Sequence, residues 1–393
     1  MNANLMNKHI YVENNNINIL FTTIIVLFPV LSLYGIGLGT FTLGDFLLCC
    51  TLIVELVFNP KRKTKFSLPF LIFSLYILLQ LIINFIFIEL ESGESLRTLR
   101  YFFYVIVIAL CIPNYFNQEY ASKLCVIFSI VSIIMIIIQT FSFVLLGKYI
   151  PGYIPGLPIL REELISFSEK GVADSLGLLR PRSFFGEPAH YAQYILLGLT
   201  IVLFNKRTLN PLLILFFIIG VLLSVSSTGI LCLLFLLVVY GINNLRNIIK
   251  YIPLIILAMI GLYFSVYFQG FITRINNGKS TEDRFSGYEV LFQDGTPFTN
   301  IIFGKGMIEI DIDRMGYLAG YPRLILYFGI AGTVLFLFSL FYKYKSKSQF
   351  GKILIILFAI LNFGTEVALG PFLVLYIGYI IKDYEGRYIY SKL

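Results

Sequence analysis

Long apolar runs separated by short polar or charged breaks repeat along the whole chain. A membrane-spanning helix needs roughly 20 apolar residues, because the hydrocarbon core of a bilayer is about 30 Å thick. Such runs predict spans at 17–39, 41–58, 66–88, 101–113, 124–147, 189–204, 211–225, 229–242, 251–269 and 323–342. The first run follows a polar stretch and lacks a small-residue cleavage site, so we interpret it as a retained helix rather than a signal peptide.

The last apolar stretch, residues 353–381, is long for one span. Gly364, Gly370 and Pro371 interrupt it, and these residues break helices in lipid-exposed segments. We therefore expect two helices, or one broken and partly re-entrant helix. The whole pattern predicts an all-α, polytopic integral membrane protein with about 11–12 transmembrane helices in a single domain over residues 1–393.

The composition indicates that lipid is the solvent for most of this surface. Hydrophobic residues make up 58% of the chain and charged residues only 13%, whereas soluble domains carry about 25% charge. The five cysteines all lie in apolar runs without a CxxC motif, which favours buried thiols over disulfides or a metal site. The chain has no P-loop, GxSxG, HExxH or glycine-rich nucleotide motif, so we expect neither ATP nor another cofactor.

The distribution of positive charge indicates which loops face the cytoplasm. The formal charge of +8 comes from short clusters between apolar runs, which is typical of the positive-inside rule rather than of nucleic-acid binding. When alternate loops are assigned to opposite sides, one set, together with both termini, carries 17 Lys and Arg against four Asp and Glu. We therefore predict that both termini of this multi-pass membrane protein are cytoplasmic.

Two predicted outer loops, 148–187 and 270–322, are long. Loops of more than about 15 residues in a compact protein are usually functional or disordered. Both contain proline, glycine and aromatic residues, whereas disordered linkers are poor in aromatic residues. We therefore expect folded loops that lie over the membrane.

The end of the first outer loop gathers most of the candidate chemistry. Arg180 and Arg182 are two residues apart in an extended stretch, so their side chains are predicted to share a face. Glu187 is predicted to start the next span, with His190 and Tyr191 on the same side of that helix. Guanidinium groups bind phosphate oxygens in pairs, and a carboxylate or an imidazole can accept a hydroxyl proton. The alternative is that these residues only fix the loop.

Further candidates follow in the second loop and the last spans. Arg284 begins an amphipathic stretch, and Arg323 opens a span at the lipid interface. Arg314 and Lys279 are additional candidates for substrate contact, although most charges in this loop are expected to pair with one another. Glu366 lies in an apolar run, where a carboxylate indicates either function or an interhelical hydrogen bond.

Four short motifs resemble a known family. They are residues 180–191, which include Phe-Gly-Glu-Pro, then 280–284, 303–307 and 324–332, which include Phe-Gly-Ile-Ala-Gly. In order and setting they are similar to the bacterial O-antigen and capsular polysaccharide polymerases of the Wzy type, within the polymerase–ligase superfamily. The resemblance covers the predicted topology of the whole chain, but its motifs occupy about a quarter of it.

The resemblance implies a GT-C-like fold and a metal-independent, cofactor-free glycosyltransferase. Such an enzyme transfers a growing glycan from undecaprenyl pyrophosphate to a lipid-linked repeat unit at the outer face of the membrane. The resemblance implies that Arg180 or Arg182, with Arg284, contacts the pyrophosphate, and that Glu187 and His190 contact or deprotonate the acceptor. Membrane lipids, a chain-length regulator and a flippase are the implied partners, with no nucleic acid.

Two other functions remain as alternatives. O-antigen ligases resemble this family but carry a histidine shortly before the Gly-Ile-x-Gly span, and residues 317–328 contain none. A lipid-linked oligosaccharide flippase would also be polytopic. Flippases have short loops and cationic residues along a central cavity, whereas this chain has two long outer loops and few ionisable residues in its spans.

Overall fold

The computed structural model presents the chain as a bundle of helices. It describes residues 3–37, 41–58, 65–87, 92–160, 180–205, 210–243, 298–308 and 318–385. The helices are α1 (Ala3–Leu31), α2 (Leu43–Phe58), α3 (Leu68–Phe87), α4 (Ser92–Ile106), which continues through a π turn (Val107–Cys111) into α5 (Ile112–Tyr115), α6 (Gln118–Leu146), α7 (Pro188–Phe204), α8 (Pro211–Leu223), α9 (Ser227–Asn243), α10 (Phe298–Phe303), α11 (Gly320–Phe341), α12 (Gln349–Gly364) and α13 (Phe372–Glu385). In those ranges β-pairing is confined to two isolated bridges, so the all-α prediction is confirmed.

The described helices include membrane-crossing candidates. Within the described ranges, four segments are long and apolar enough to cross a bilayer, namely Leu68–Ile86, Gly93–Tyr115, Gln118–Leu146 and Gly320–Ser346. Large apolar side chains also cover the outside of the bundle, as Phe85 (74% exposed) and Leu145 (72% exposed) illustrate. A surface of this kind needs an apolar environment. The predicted span 251–269 lies outside the described residues.

Helix α7 forms the centre of the bundle. All residues from 191 to 203 are buried, and α6, α8, α9 and α12 pack around them. A helix that is apolar on every side is typical of such a central position. The start of α7 is therefore held firmly by its neighbours.

The helix at the predicted span 101–113 is longer than the prediction. The helix begins at Ser92, and the apolar segment covers Gly93–Tyr115. The prediction stopped short because Arg100 interrupts the apolar pattern. In the structure, the Arg100 Nε atom lies 3.3 Å from Asp45 Oδ2. Its charge is compensated within the bundle, so the helix continues past it.

Asp45 is fully buried and has several partners. Its Oδ2 atom accepts a hydrogen bond from the Thr42 amide at 2.9 Å, while the Asp45 amide donates to Thr42 Oγ1 at 3.2 Å. These reciprocal bonds form a capping box at the start of α2. The Tyr104 hydroxyl donates to the other carboxylate oxygen at 2.6 Å. Asp45 thereby connects α2 to α4.

The long apolar stretch at 353–381 forms two helices, as one of the predicted alternatives required. Helix α12 ends at Gly364 and α13 begins at Phe372. We call residues 365–371 the α12–α13 loop. The Asn362 side chain accepts a hydrogen bond from the Ala368 amide at 3.0 Å, which ties the loop to the end of α12.

Helix α11 is interrupted at Gly329, which has a φ of +66°. The interruption leaves carbonyls just before it without their partners one turn ahead. Residues 298–308 supply replacements, because the Lys305 amide donates to the Leu326 carbonyl at 3.0 Å and the Gly306 amide donates to the Tyr327 carbonyl at 2.9 Å. Backbone polar groups in an apolar environment need such partners.

Two side chains of α3 complete this arrangement. The Gln80 amide donates to the Tyr327 carbonyl at 2.6 Å, and the Tyr76 hydroxyl donates to the Phe328 carbonyl at 2.7 Å. The Gln80 amide also donates to the Phe303 carbonyl at the end of α10 at 2.7 Å, and the Tyr76 hydroxyl lies 3.0 Å from the same oxygen. The interruption in α11 is therefore satisfied jointly by α3 and the segment before α11.

The bundle has two chemically different ends. The turn from α11 to α12 contains three lysines within 343–348 and contacts the end of α13, where Lys347 donates to the Ile380 carbonyl at 2.5 Å. We call this the lysine end. Arg323 and the α12–α13 loop lie at the other ends of α11 and α12, which we call the loop end. A helix of 22 residues is about 33 Å long, so the two ends are well separated.

Candidate functional site

The described parts of the first long loop, 148–160 and 180–187, form one folded unit over α6. The Gln139 side chain of α6 accepts a hydrogen bond from the Ser183 amide at 2.9 Å. A Cβ atom on Gly152 would lie 1.7 Å from the Ser183 carbonyl oxygen, so this contact requires glycine. These contacts join the two described parts of the loop to each other and to α6, while residues 161–179 lie outside the described residues.

Arg182 holds that unit together from inside. Its side chain is only 2% exposed. One guanidinium nitrogen donates to the Gly186 carbonyl at 3.0 Å, and the other hydrogen-bonds the Tyr153 hydroxyl. The guanidinium carbon also lies 5.1 Å from the centre of the Tyr153 ring. These contacts support the alternative in which Arg182 fixes the loop. Arg180, two residues earlier, is half-buried.

Glu187 and His190 lie at the start of α7, as predicted. Glu187 is extended and exposed, and Pro188 occupies the first helical position. The Glu187 carboxylate makes no hydrogen bond or ion pair with the described residues, so it does not pair with Arg182. The half-buried His190 ring lies 5.7 Å from the Phe372 ring at the start of α13, and its nitrogens have no hydrogen bond in the described part of the chain.

Tyr191 does not lie where the sequence suggested. Its side chain is fully buried and packs against Phe185, with ring centres 6.0 Å apart. Its hydroxyl lies 3.1 Å from the position that a Cβ on Gly220 would occupy. Tyr191 therefore faces the core between α7 and α8. Packing against α8 turns Tyr191 inward, whereas Glu187 is exposed, and substrate contact by Tyr191 stays a prediction.

Arg323 forms an ion pair at the loop end. Its guanidinium contacts the Glu366 carboxylate of the α12–α13 loop, and the two side chains are 20% and 32% exposed. The sequence placed Glu366 within a span, whereas the structure places it in a loop between two helices. Of its two predicted roles, an interhelical contact is observed. The contact also leaves both groups partly open to a ligand.

The α12–α13 loop connects this ion pair to the start of the helix that contacts His190. Residue 366 contacts Arg323 and residue 372 contacts His190, so six residues separate the two contacts. Six residues span at most roughly 20 Å even when extended. Hydrogen-bonded turns at 366–369 and 370–373 shorten the loop further.

Neighbouring helices hold the α12–α13 loop in place. The Tyr101 hydroxyl of α4 donates to the Ala368 carbonyl at 3.1 Å. The Gly320 amide at the start of α11 donates to the Thr365 carbonyl at 3.0 Å. These bonds, with that of Asn362, fix the loop from three helices. Sequence reasoning missed this role of the loop, because the partners lie far away along the chain and carry no local signal.

Several predicted site residues lie outside the described residues. They are Arg284, Arg314 and Lys279 of the second long loop. The candidate site of the described chain therefore consists of Glu187, His190, Arg323 and Glu366. These ranges contain no group of three or more His, Cys, Asp or Glu side chains that could hold a metal ion.

The chain matches no protein-family model, no curated protein and no solved structure.

Proposed function

We propose that this protein is a membrane glycosyltransferase of the Wzy polymerase type. It transfers a growing glycan from undecaprenyl pyrophosphate to the terminal sugar of a lipid-linked repeat unit. The reaction takes place at the outer face of the bacterial plasma membrane. The proposal rests on the motif resemblance and on the groups collected at the loop end.

The single observation that carries the proposal is the combination of His190 with the Arg323–Glu366 pair. A partly exposed imidazole without a hydrogen-bond partner among the described residues contacts one end of the α12–α13 loop, and a partly exposed guanidinium contacts the other. Glycosyl transfer from a pyrophosphate needs a cation for the leaving group and can use a base for the acceptor. The loop end offers both types of group.

The proposed chemistry is a direct displacement. The acceptor hydroxyl oxygen forms a bond to the anomeric carbon of the donor glycan, and the bond from that carbon to the pyrophosphate oxygen breaks. The pyrophosphate departs with the bonding electrons, and Arg323 stabilises its increased negative charge. His190 accepts the hydroxyl proton on a ring nitrogen.

The position of the site agrees with an outer-face reaction. The lysine end holds one of the basic clusters that the positive-inside rule assigns to the cytoplasm. The candidate site lies at the opposite end of α11 and α12. The site and the cytoplasmic charges would thus face opposite sides of the membrane.

Deletion of the gene, with complementation, tests the proposal. Without the protein, surface glycan on gels should shorten from long chains to single repeat units. The wild-type gene should restore long chains, whereas His190→Ala should lose roughly 10²–10⁴-fold in polymerisation rate. The matched control is His9→Ala, which alters the chain's other histidine.

Other results would identify other functions. If deletion leaves long glycans attached to the lipid carrier, the protein is a ligase. If single repeat units accumulate on the inner leaflet, it is a transporter. If His190→Ala polymerises as fast as wild type, His190 is not the proton acceptor.

A further inference from the structure

We propose that Glu366 is the positioning residue for Arg323, and that Arg323 binds the pyrophosphate of the lipid-linked donor. This inference rests on the proposed function and assigns the leaving-group site within it.

The contacts of Arg323 leave donors for a ligand. A guanidinium has five N–H donors in a planar fork. In the described structure, one terminal nitrogen contacts Glu366, while the buried Nε–H has no hydrogen-bond partner. With 20% of the side chain exposed, the group is neither fully buried nor freely solvated. Because the Nε–H is buried, a second anion would bind the other terminal nitrogen, which does not contact Glu366.

The position of Glu366 is fixed before any ligand binds. Its loop is hydrogen-bonded to Tyr101, Gly320 and Asn362, which belong to three different helices. A carboxylate on such a support restricts the rotamers of its arginine partner. Ligand binding then costs less conformational entropy, because the guanidinium is already oriented.

An ion pair that served only stability would not explain why three helices hold the α12–α13 loop in place. Pairs with partly exposed side chains contribute little to stability, typically about 0–1 kcal/mol. That small gain does not account for a loop fixed from three sides around the acidic partner. Glu187, in contrast, is exposed and has no ionic contact with the described residues. Glu366 is the carboxylate that contacts an arginine at the loop end.

Direct binding in lipid nanodiscs provides the main test. The probe is undecaprenyl pyrophosphate, with undecaprenyl phosphate as the matched control ligand, and native mass spectrometry measures the bound fraction. Wild type should prefer the pyrophosphate. Glu366→Gln keeps the shape of the side chain but removes its charge, and it should weaken pyrophosphate binding about tenfold or more. His190→Ala should bind normally while polymerisation slows.

A charge swap separates positioning from stability. The double variant Arg323→Glu with Glu366→Arg keeps the pair but moves the guanidinium to the loop. It should melt close to wild type and still fail to bind the pyrophosphate. If the swap restores binding, or if Glu366→Gln binds as wild type does, the inference is overturned. If the double variant does not fold, pyrophosphate binding by Glu366→Gln alone decides whether the inference holds.

The two proposals fail in different ways. If wild type makes long glycans but Glu366→Gln binds donor normally, only the positioning role is wrong. If deletion of the gene leaves glycan length unchanged, the proposed function is wrong whatever Glu366 does.

Discussion

Arg182 and Arg323 are both arginines at the ends of predicted spans, yet their environments differ. Arg182 is 2% exposed, and it contacts a backbone carbonyl and a tyrosine of its own loop. Arg323 is 20% exposed, and it contacts the Glu366 carboxylate of the α12–α13 loop. The first arginine has its donors directed into the protein. The second retains donors that a ligand can use.

This difference shows that a charged residue in a motif can serve either the fold or the chemistry. The two terminal nitrogens of Arg182 are paired with protein groups, because an unpaired buried charge is costly. Partial exposure of Arg323 allows a ligand to complete its contacts. We therefore expect substitutions at the two positions to separate stability from activity.

Arg182→Ala should produce the largest loss of stability. It removes the partner of the Gly186 carbonyl and of the Tyr153 hydroxyl. Each buried group without a partner costs about 1–3 kcal/mol. Thermal melting of the detergent-purified protein, followed by size-exclusion chromatography, should show a clearly lower midpoint. A melting curve equal to that of wild type would show that Arg182 does not hold the loop.

Gly152→Ala should give a similar but smaller loss without changing any charge. Its Cβ would overlap the Ser183 carbonyl, so the two parts of the loop must separate. Overpacking of this kind typically costs about 1–3 kcal/mol. The melting measurement applies here too, with Gly93→Ala as the control, because a Cβ at Gly93 meets nothing within 4 Å.

Tyr153→Phe should have a modest effect, because it keeps the ring beneath Arg182 and removes only the hydroxyl. The loss of one hydrogen bond to a charged group is worth about 1.5–3 kcal/mol at most, and ring contact offsets part of it. The midpoint should fall less than for Arg182→Ala. An equal fall would mean that the hydroxyl, rather than the whole guanidinium network, is decisive.

Arg323→Ala should have the smallest effect on melting and a large effect on activity. Partly exposed ion pairs contribute about 0–1 kcal/mol, so the midpoint should stay near that of wild type. Undecaprenyl pyrophosphate binding should be lost, and Arg323→Lys should retain part of it, since lysine supplies charge without the planar fork. Melting as low as that of Arg182→Ala would place Arg323 among the structural arginines.

Local patterns in the sequence predicted most of the described helices. The runs that became α3 and α7 contain no Asp, Glu, Lys or Arg, so their lengths follow from their own residues. The start of α4 could not be predicted from its own residues, because Arg100 is tolerated only through Asp45, 55 positions earlier. The interruption at Gly329 likewise depends on residues of α3 and 298–308, which no window around α11 contains.

The candidate site could be predicted only in part. Pro188 correctly located the start of α7 and thereby Glu187 and His190. Helical spacing alone did not reveal which side of α7 faces the core, so Tyr191 was misplaced. The pairing of Glu366 with Arg323 depends on the turn between α12 and α13, which brings together residues 43 positions apart.

The interruption in α11 has a consequence for how the protein is made. Residues 320–328 would enter a bilayer with carbonyls that α11 cannot satisfy by itself, and their donors come from 298–308 and from Tyr76 and Gln80. Unsatisfied carbonyls are costly in hydrocarbon. The translocon therefore cannot release this half-helix as an independent unit. Its stable insertion waits until α3, synthesised more than 200 residues earlier, forms a partner surface, so biogenesis here couples insertion to assembly.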